Sequence, residues 1–148
     1  MTPSTPIRWQ PIALLVGVVG LYLWSNRPAT PPEGWTADFN QAVTEAKATG
    51  KNLLVAFNLH GCAPCAMMDR QVMPEPRVRE AIASFVPVRV NLRERPDIAQ
   101  RFGVEGAPTY LVVDANGTIL DGRSGFVPID EFLAFLDQAS TESETDSQ

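Results

Sequence analysis

The hydrophobic pattern of this chain changes in kind along its length. Ile12 to Trp24 is apolar without a break and without a charge, the pattern of a helix surrounded by lipid rather than one laid against a core. Farther on, Phe39, Ala42, Val43 and Ala46 recur at helical spacing, with Thr36 or Asp38 as a cap and Gly50 where a helix would stop. Leu53 to Phe57 is a short continuous apolar run, as in a strand covered on both faces. Ala66, Met67, Met68 and Val72 carry a helix as far as Pro74 and Pro76, and helical spacing resumes over 78–85. Val86 to Leu92 predicts a strand, Pro96 to Phe102 a short helix and Thr109 to Val113 a second apolar strand. Asn116-Gly117 predicts a hairpin into 118–120, and Phe132, Leu133, Phe135 and Leu136 a closing helix over 130–136. This order predicts an α/β fold, a mixed central sheet of about four strands with helices on both faces, preceded by an N-terminal membrane helix.

Composition refines the organisation. Ser25 to Gly34 holds Pro28, Pro31 and Pro32, a semi-rigid spacer, and Ser140 to Gln148 has no apolar residue to repay the entropy of ordering. The chain therefore divides into a signal-anchor helix (1–24), a proline-rich linker (25–34), one folded domain (35–139) and a disordered acidic tail (140–148). The net charge is −5, and Glu142, Glu144 and Asp146 of the tail leave −2 for the rest. With arginines scattered, nothing points to nucleic acid.

The thirteen residues of 12–24 match a signal-peptide core better than a full span, which needs about 20. Trp9, Tyr22 and Trp24 are placed to seat its ends at the two interfaces. Cleavage asks for small residues first and third before the cut, but a cut after Ala29 puts Arg27 third and one after Ser25 puts Leu23 there. The expectation is an uncleaved anchor, with Arg8 before it, Arg27 after it and the domain on the extracytoplasmic side. Secretion after cleavage is the alternative.

Two cysteines three residues apart cannot build a multi-bridge framework. Cys62-Ala63-Pro64-Cys65 follows an apolar strand and opens a helix, where unpaired backbone N–H groups favour the Cys62 thiolate as nucleophile. Cys65, one turn in, is placed to attack a mixed disulfide at Cys62, releasing the partner and leaving a Cys62–Cys65 disulfide. Pro64 suits the first turn, which leaves its N–H groups unpaired. A zinc site would want four ligands, whereas the chain offers two cysteines and His60. Chance pairing and a purely structural bridge are the remaining readings, and the helix-opening context argues against all three. No metal or cofactor is expected.

A second motif, Gly106-Ala107-Pro108-Thr109, sets a proline at the head of a strand. Together the two motifs resemble the thioredoxin superfamily over about residues 35–139, and are most similar to the periplasmic C-terminal domain of bacterial thiol:disulfide interchange proteins and their membrane-anchored relatives. The pattern Arg123-Ser124-Gly125-Phe126 is similar too, with Phe126 expected to pack rather than to make contacts. The resemblance implies that Pro108 is cis and faces the cysteines. It also implies that the Ala107 to Thr109 edge holds an extended partner peptide, and a monomer is expected. Its implied partners are disulfide-containing exported proteins and a membrane electron donor.

The departures matter as well. Gly61 stands where thioredoxins usually have tryptophan, and Ala56 where their reductases commonly keep a buried acid, so the proton of Cys65 must leave through water or another group. His60 favours the Cys62 thiolate if its imidazolium approaches the sulfur; otherwise it is a loop residue without a role. Two functions remain: a protein-disulfide reductase, or a peptide-binding or assembly module without redox turnover.

Overall fold

A computed structural model of the chain describes residues 10–25 and 33–145, with side chains over 14–22 and 33–140. The linker prolines, Trp9, Arg8, Arg27 and the end of the tail, 146–148, lie outside the described residues. The chain divides into two units, Met1–Thr30 and Pro31–Gln148.

The first unit holds α1, Gln10–Ser25. Its apolar side chains Leu14, Leu15, Val16, Val18, Val19, Leu21 and Tyr22 are all exposed. The expected membrane span is met only by this helix of 16 residues. At ~1.5 Å per residue it is about 24 Å long, short of the ~30 Å hydrocarbon thickness. Among the described residues no helix is long and apolar enough to cross a membrane.

The second unit comprises α2 (Phe39–Thr49), β1 (Leu53–Asn58), α3 (Ala63–Met67), α4 (Pro76–Ile82), β2 (Val86–Asn91), α5 (Pro96–Arg101), β3 (Thr109–Val113), β4 (Ile119–Ser124) and α6 (Ile129–Thr145). The four strands form one sheet in the order β2-β1-β3-β4, with β1 parallel to β2 and antiparallel to β3, and β3 antiparallel to β4. The mixed α/β architecture expected from the pattern is present. Every residue of β3 and all but the last of β1 are buried, because these two central strands are covered on both faces. On one face Phe39, Ala42 and Ala46 of α2 and Ile98 and Ala99 of α5 pack on Leu53, Val55, Phe57, Val88 and Leu111. On the other, Met68, Val72, Val78, Phe132 and Phe135 pack on Leu54, Ala56, Tyr110 and Val112.

Local chemistry sets the boundaries. Asp38 Oδ1 caps α2, accepting from the N–H groups of Asn40 and Gln41 at 2.9 and 3.1 Å. Thr36 bridges to Val88 beside edge strand β2, its N–H donating to the Pro87 carbonyl and its carbonyl accepting from Arg89 N–H. Pro76 opens α4 rather than interrupting a helix, since the first turn needs no N–H. The helix of the cysteines continues beyond Met67 as a π turn, Met68–Val72, closed by Met73 N–H on the Met68 carbonyl at 2.9 Å.

The C-terminal elements depart from their sequence positions. The hairpin turns over Asp114–Gly117, with Asp114 Oδ1 accepting from the N–H groups of Asn116 and Thr118 at 2.8 and 2.7 Å. Gly117 alone takes the left-handed conformation there, at φ 93°, so Asn116-Gly117 is not a two-residue turn of the mirror-image type, which would need both. β4 runs on to Ser124, paired with Thr109. α6 extends to Thr145, into the stretch expected as tail, because lengthening a packed helix avoids the penalty of nucleating a new one.

Candidate redox site

β1 ends at Asn58 and delivers the chain into a turn in which Gly61 adopts φ 74°, a left-handed conformation that side-chain-bearing residues enter at a cost of ~1–2 kcal/mol. Cys62 follows as the N-cap of α3 in an extended conformation. Its sulfur accepts the Cys65 N–H at 3.2 Å, so the cap of the helix is the first cysteine itself. Pro64 lies in the first turn, where no N–H is required. Cys62 and Cys65 form a disulfide; Cys62 is half-buried and Cys65 buried. The outer sulfur is thus the one a partner can reach.

The peptide bond between Ala107 and Pro108 is cis. The Ala107 carbonyl oxygen lies 3.6 Å from Cys62 Sγ, which brings the two sequence motifs together across the fold. Pro108 is buried and Ala107 half-buried. Thr109 is 7% exposed, and its hydroxyl donates to the Gly106 carbonyl at 2.9 Å and meets Ser124 Oγ at 3.1 Å. Thr109 therefore staples the loop to β4, while Ala107 forms the edge beside the sulfur. An open groove of about 560 Å³ runs along Gly106, Ala107, Pro108 and Arg123.

His60 is exposed, and its Nδ1 accepts from Asn91 Nδ2 at 3.0 Å. Its placed partner is an amide on β2 rather than the sulfur of Cys62. Ala56 is buried, so no acid stands at that position. Among the described residues no group of His, Cys, Asp and Glu is arranged to hold a metal.

Several residues that the pattern assigns no role take part. Met68, expected as core filler, is fully buried and its Sδ accepts the N–H of Val127 at 3.3 Å. Gly125, two residues earlier, donates its N–H to the Pro108 carbonyl at 2.8 Å. Between them Phe126 is 38% exposed, partly covered rather than in the core, and Met67, two residues after Cys65, is exposed to the same degree. Asp69 and Arg89 form an ion pair beneath the helix. Helical spacing marks the buried side of such a helix but cannot say which sheet residue it meets.

Comparison with known proteins agrees with this geometry. A thioredoxin-like domain family model matches residues 39–140. A thiol:disulfide interchange protein DsbD of Ralstonia nicotianae is 30% identical over 108 residues, covering 70% of this chain and 18% of that protein. The chain thus spans less than a fifth of that relative's length. A thioredoxin from Thermus thermophilus superposes with a TM-score of 0.68 at 27% identity, over 77% of this chain and 92% of that one. The oxidised C-terminal domain of Neisseria meningitidis DsbD does so with a TM-score of 0.63 at 22% identity, over 71% and 98%. With the paired cysteines, the cis-proline beside them and a matching model over most of its length, this chain belongs to the thioredoxin-like domain family.

Proposed function

We propose that this chain is a membrane-attached protein thiol:disulfide oxidoreductase that reduces disulfides of exported proteins through Cys62 and Cys65. The observation that carries the reading is the 3.6 Å approach of the Ala107 carbonyl to Cys62 Sγ, which sets a peptide edge beside a half-exposed sulfur. An extended client segment lying along Ala107 would bring its own disulfide to Cys62.

The chemistry balances without a cofactor. The Cys62 thiolate attacks one client sulfur; a Cys62–client bond forms, the client disulfide breaks and its other sulfur takes up a proton. Cys65 loses its proton and attacks Cys62 Sγ, forming the Cys62–Cys65 disulfide and releasing the second client thiol. The client gains two electrons and two protons, so a dithiol donor must restore the protein. The names of the DsbD relatives, thiol:disulfide interchange proteins, support this class of reaction. The uncharged stretch 12–24 and the exposed apolar side chains of α1 support attachment to a membrane, with the domain on the extracytoplasmic side and a donor in that membrane.

The test is to equilibrate the protein in glutathione or dithiothreitol buffers and measure the reduction potential of the pair. A value near about −270 mV makes it a reductant and one near about −120 mV an oxidant. Absence of a reversible disulfide would leave a peptide-binding module in its place. Cys65→Ser should trap clients as mixed disulfides, and Cys62→Ser should trap none.

A further inference from the structure

β4 is an outer strand of the sheet, bonded to β3 on one side only, and its register fixes which backbone groups face outward. Gly125 N–H donates to the Pro108 carbonyl, and bonded and unbonded pairs alternate along an antiparallel ladder. Gly122, opposite Leu111, therefore belongs to an unbonded pair, and its N–H and C=O point away from β3. Such groups on an edge strand are a template for another strand. Gly122 has no side chain to cover them, and a Cβ there would meet Leu111 Cδ2 at 2.7 Å.

Both groups are taken by the flanking residues. Asp121 Oδ1 accepts the Gly122 N–H at 2.7 Å, and Arg123 Nη1 donates to the Gly122 carbonyl at 2.7 Å. The same Arg123 nitrogen donates to Asp121 Oδ1 at 2.6 Å, which closes a ring of bonds around the middle of the edge. Arg123 is also held from the inner side, its guanidinium carbon lying 5.2 Å from the ring centre of Phe135, a buried residue of α6. The Asp121 and Arg123 side chains are 26% and 38% exposed, so the ring sits at the solvent boundary where a second strand would arrive. An ion pair this exposed contributes little to stability; its larger effect is on what the edge can bind.

We propose that Asp121 and Arg123 form a lock on the β4 edge that keeps a second copy of this chain from joining the sheet through its own β4. The excluded occupant is a second copy because Ile119–Ser124 is self-complementary. Antiparallel pairing of two β4 strands about a two-fold axis at Gly122 sets Asp121 of each opposite Arg123 of the other. These are unbonded pairs, in which side chains approach most closely, and opposite charges so placed attract. The freed N–H and C=O of one Gly122 would bond to those of the other, and the exposed Ile119 would gain cover. Each charged side chain thus has two uses, a lock within one chain or a clasp between two. The lock prevails because it avoids the entropy lost on association.

The measurement compares the full chain with its Asp121→Ala/Arg123→Ala variant in detergent micelles, where α1 is common to both. Light scattering should show the protein mass of the double variant doubling relative to the parent as concentration rises. Hydrogen exchange over residues 119–124 should slow several-fold with that doubling in the variant and stay independent of concentration in the parent. Ile119→Lys added to the double variant should restore the parent mass, because a lysine on an edge strand opposes strand addition.

A double variant with unchanged circular dichroism whose mass and exchange follow the parent's overturns the proposal. So does association that Ile119→Lys leaves intact, since the contact would then lie elsewhere on the surface. Exchange over 119–124 that already slows with concentration in the parent would show the edge open, and overturns it as well. If the double variant does not fold, Asp121→Ala alone decides, because it removes both the acceptor of the Gly122 N–H and the anchor of Arg123.

Discussion

The sulfur of Met68 accepts the backbone N–H of Val127 at 3.3 Å, and through that contact the helix of the cysteines is tied to the segment that also bonds Pro108. Gly125 makes that second bond, to the Pro108 carbonyl. Three parts of the site, distant in sequence, are thus held by one short loop.

Met68→Leu fills nearly the same volume but leaves the Val127 N–H without its acceptor. A buried donor left unpaired costs about 1–3 kcal/mol, and sulfur is a weak acceptor, so a loss of about 1 kcal/mol is expected. Urea unfolding should show a lower midpoint with an unchanged slope; an unchanged midpoint would mean that the contact contributes nothing.

Gly61 has open space around it yet holds φ 74°. Gly61→Ala should therefore destabilise by about 1–2 kcal/mol through backbone conformation alone. Thermal unfolding of the oxidised protein reads this directly, and a neutral result would show that the turn can relax.

Phe126 is an exposed aromatic on the loop tied to Pro108. Phe126→Ala should weaken reduction of protein disulfides several-fold in kcat/KM while leaving reduction of a small aromatic disulfide unchanged, because only a large client reaches past the sulfur. Equal losses on both substrates would assign Phe126 to folding instead.

Asp114 carries a lowered carboxyl pKa: burial pushes it up, but the N–H groups of Thr118, Asn116 and Gly117 overcome this. A depressed folded value means stability that is present above the unfolded value of about 4 and lost as pH falls through the folded one. Asp114→Ala should lower stability at neutral pH by about 1 kcal/mol and flatten its decline below pH ~4. Parallel acid curves for the two proteins would refute this assignment.

Tyr110 carries a raised phenol pKa, first from burial and then from Asp69. A raised folded value gives stability that is complete below the unfolded value of about 10 and lost as pH rises through the folded one. Tyr110→Phe should blunt the alkaline loss of stability above pH ~10. Identical alkaline melting would place that loss elsewhere.

Much of the site was legible because its chemistry is local. The spacing of Cys62 and Cys65, a proline in the first turn and an apolar run just before them are short-range facts, and so is a proline before an apolar strand. The element pattern followed from side-chain burial, which repeats every two residues in a strand and every 3.6 in a helix. β3 coincides with the predicted strand, whereas β4 outruns its prediction because its half-exposed residues Asp121, Gly122 and Arg123 show no apolar alternation.

By itself the sequence determined the elements, the pairing of two nearby cysteines and the glycine and proline positions that shape their turn, since each depends on neighbours within a few residues. Only the tertiary structure decided that Ala107 stands 3.6 Å from Cys62, that Met68 meets Val127, that Phe126 stays partly exposed and that Asp69 pairs with Arg89. Those contacts join residues far apart along the chain, and they follow from strand order and register, which no local pattern of apolar residues encodes.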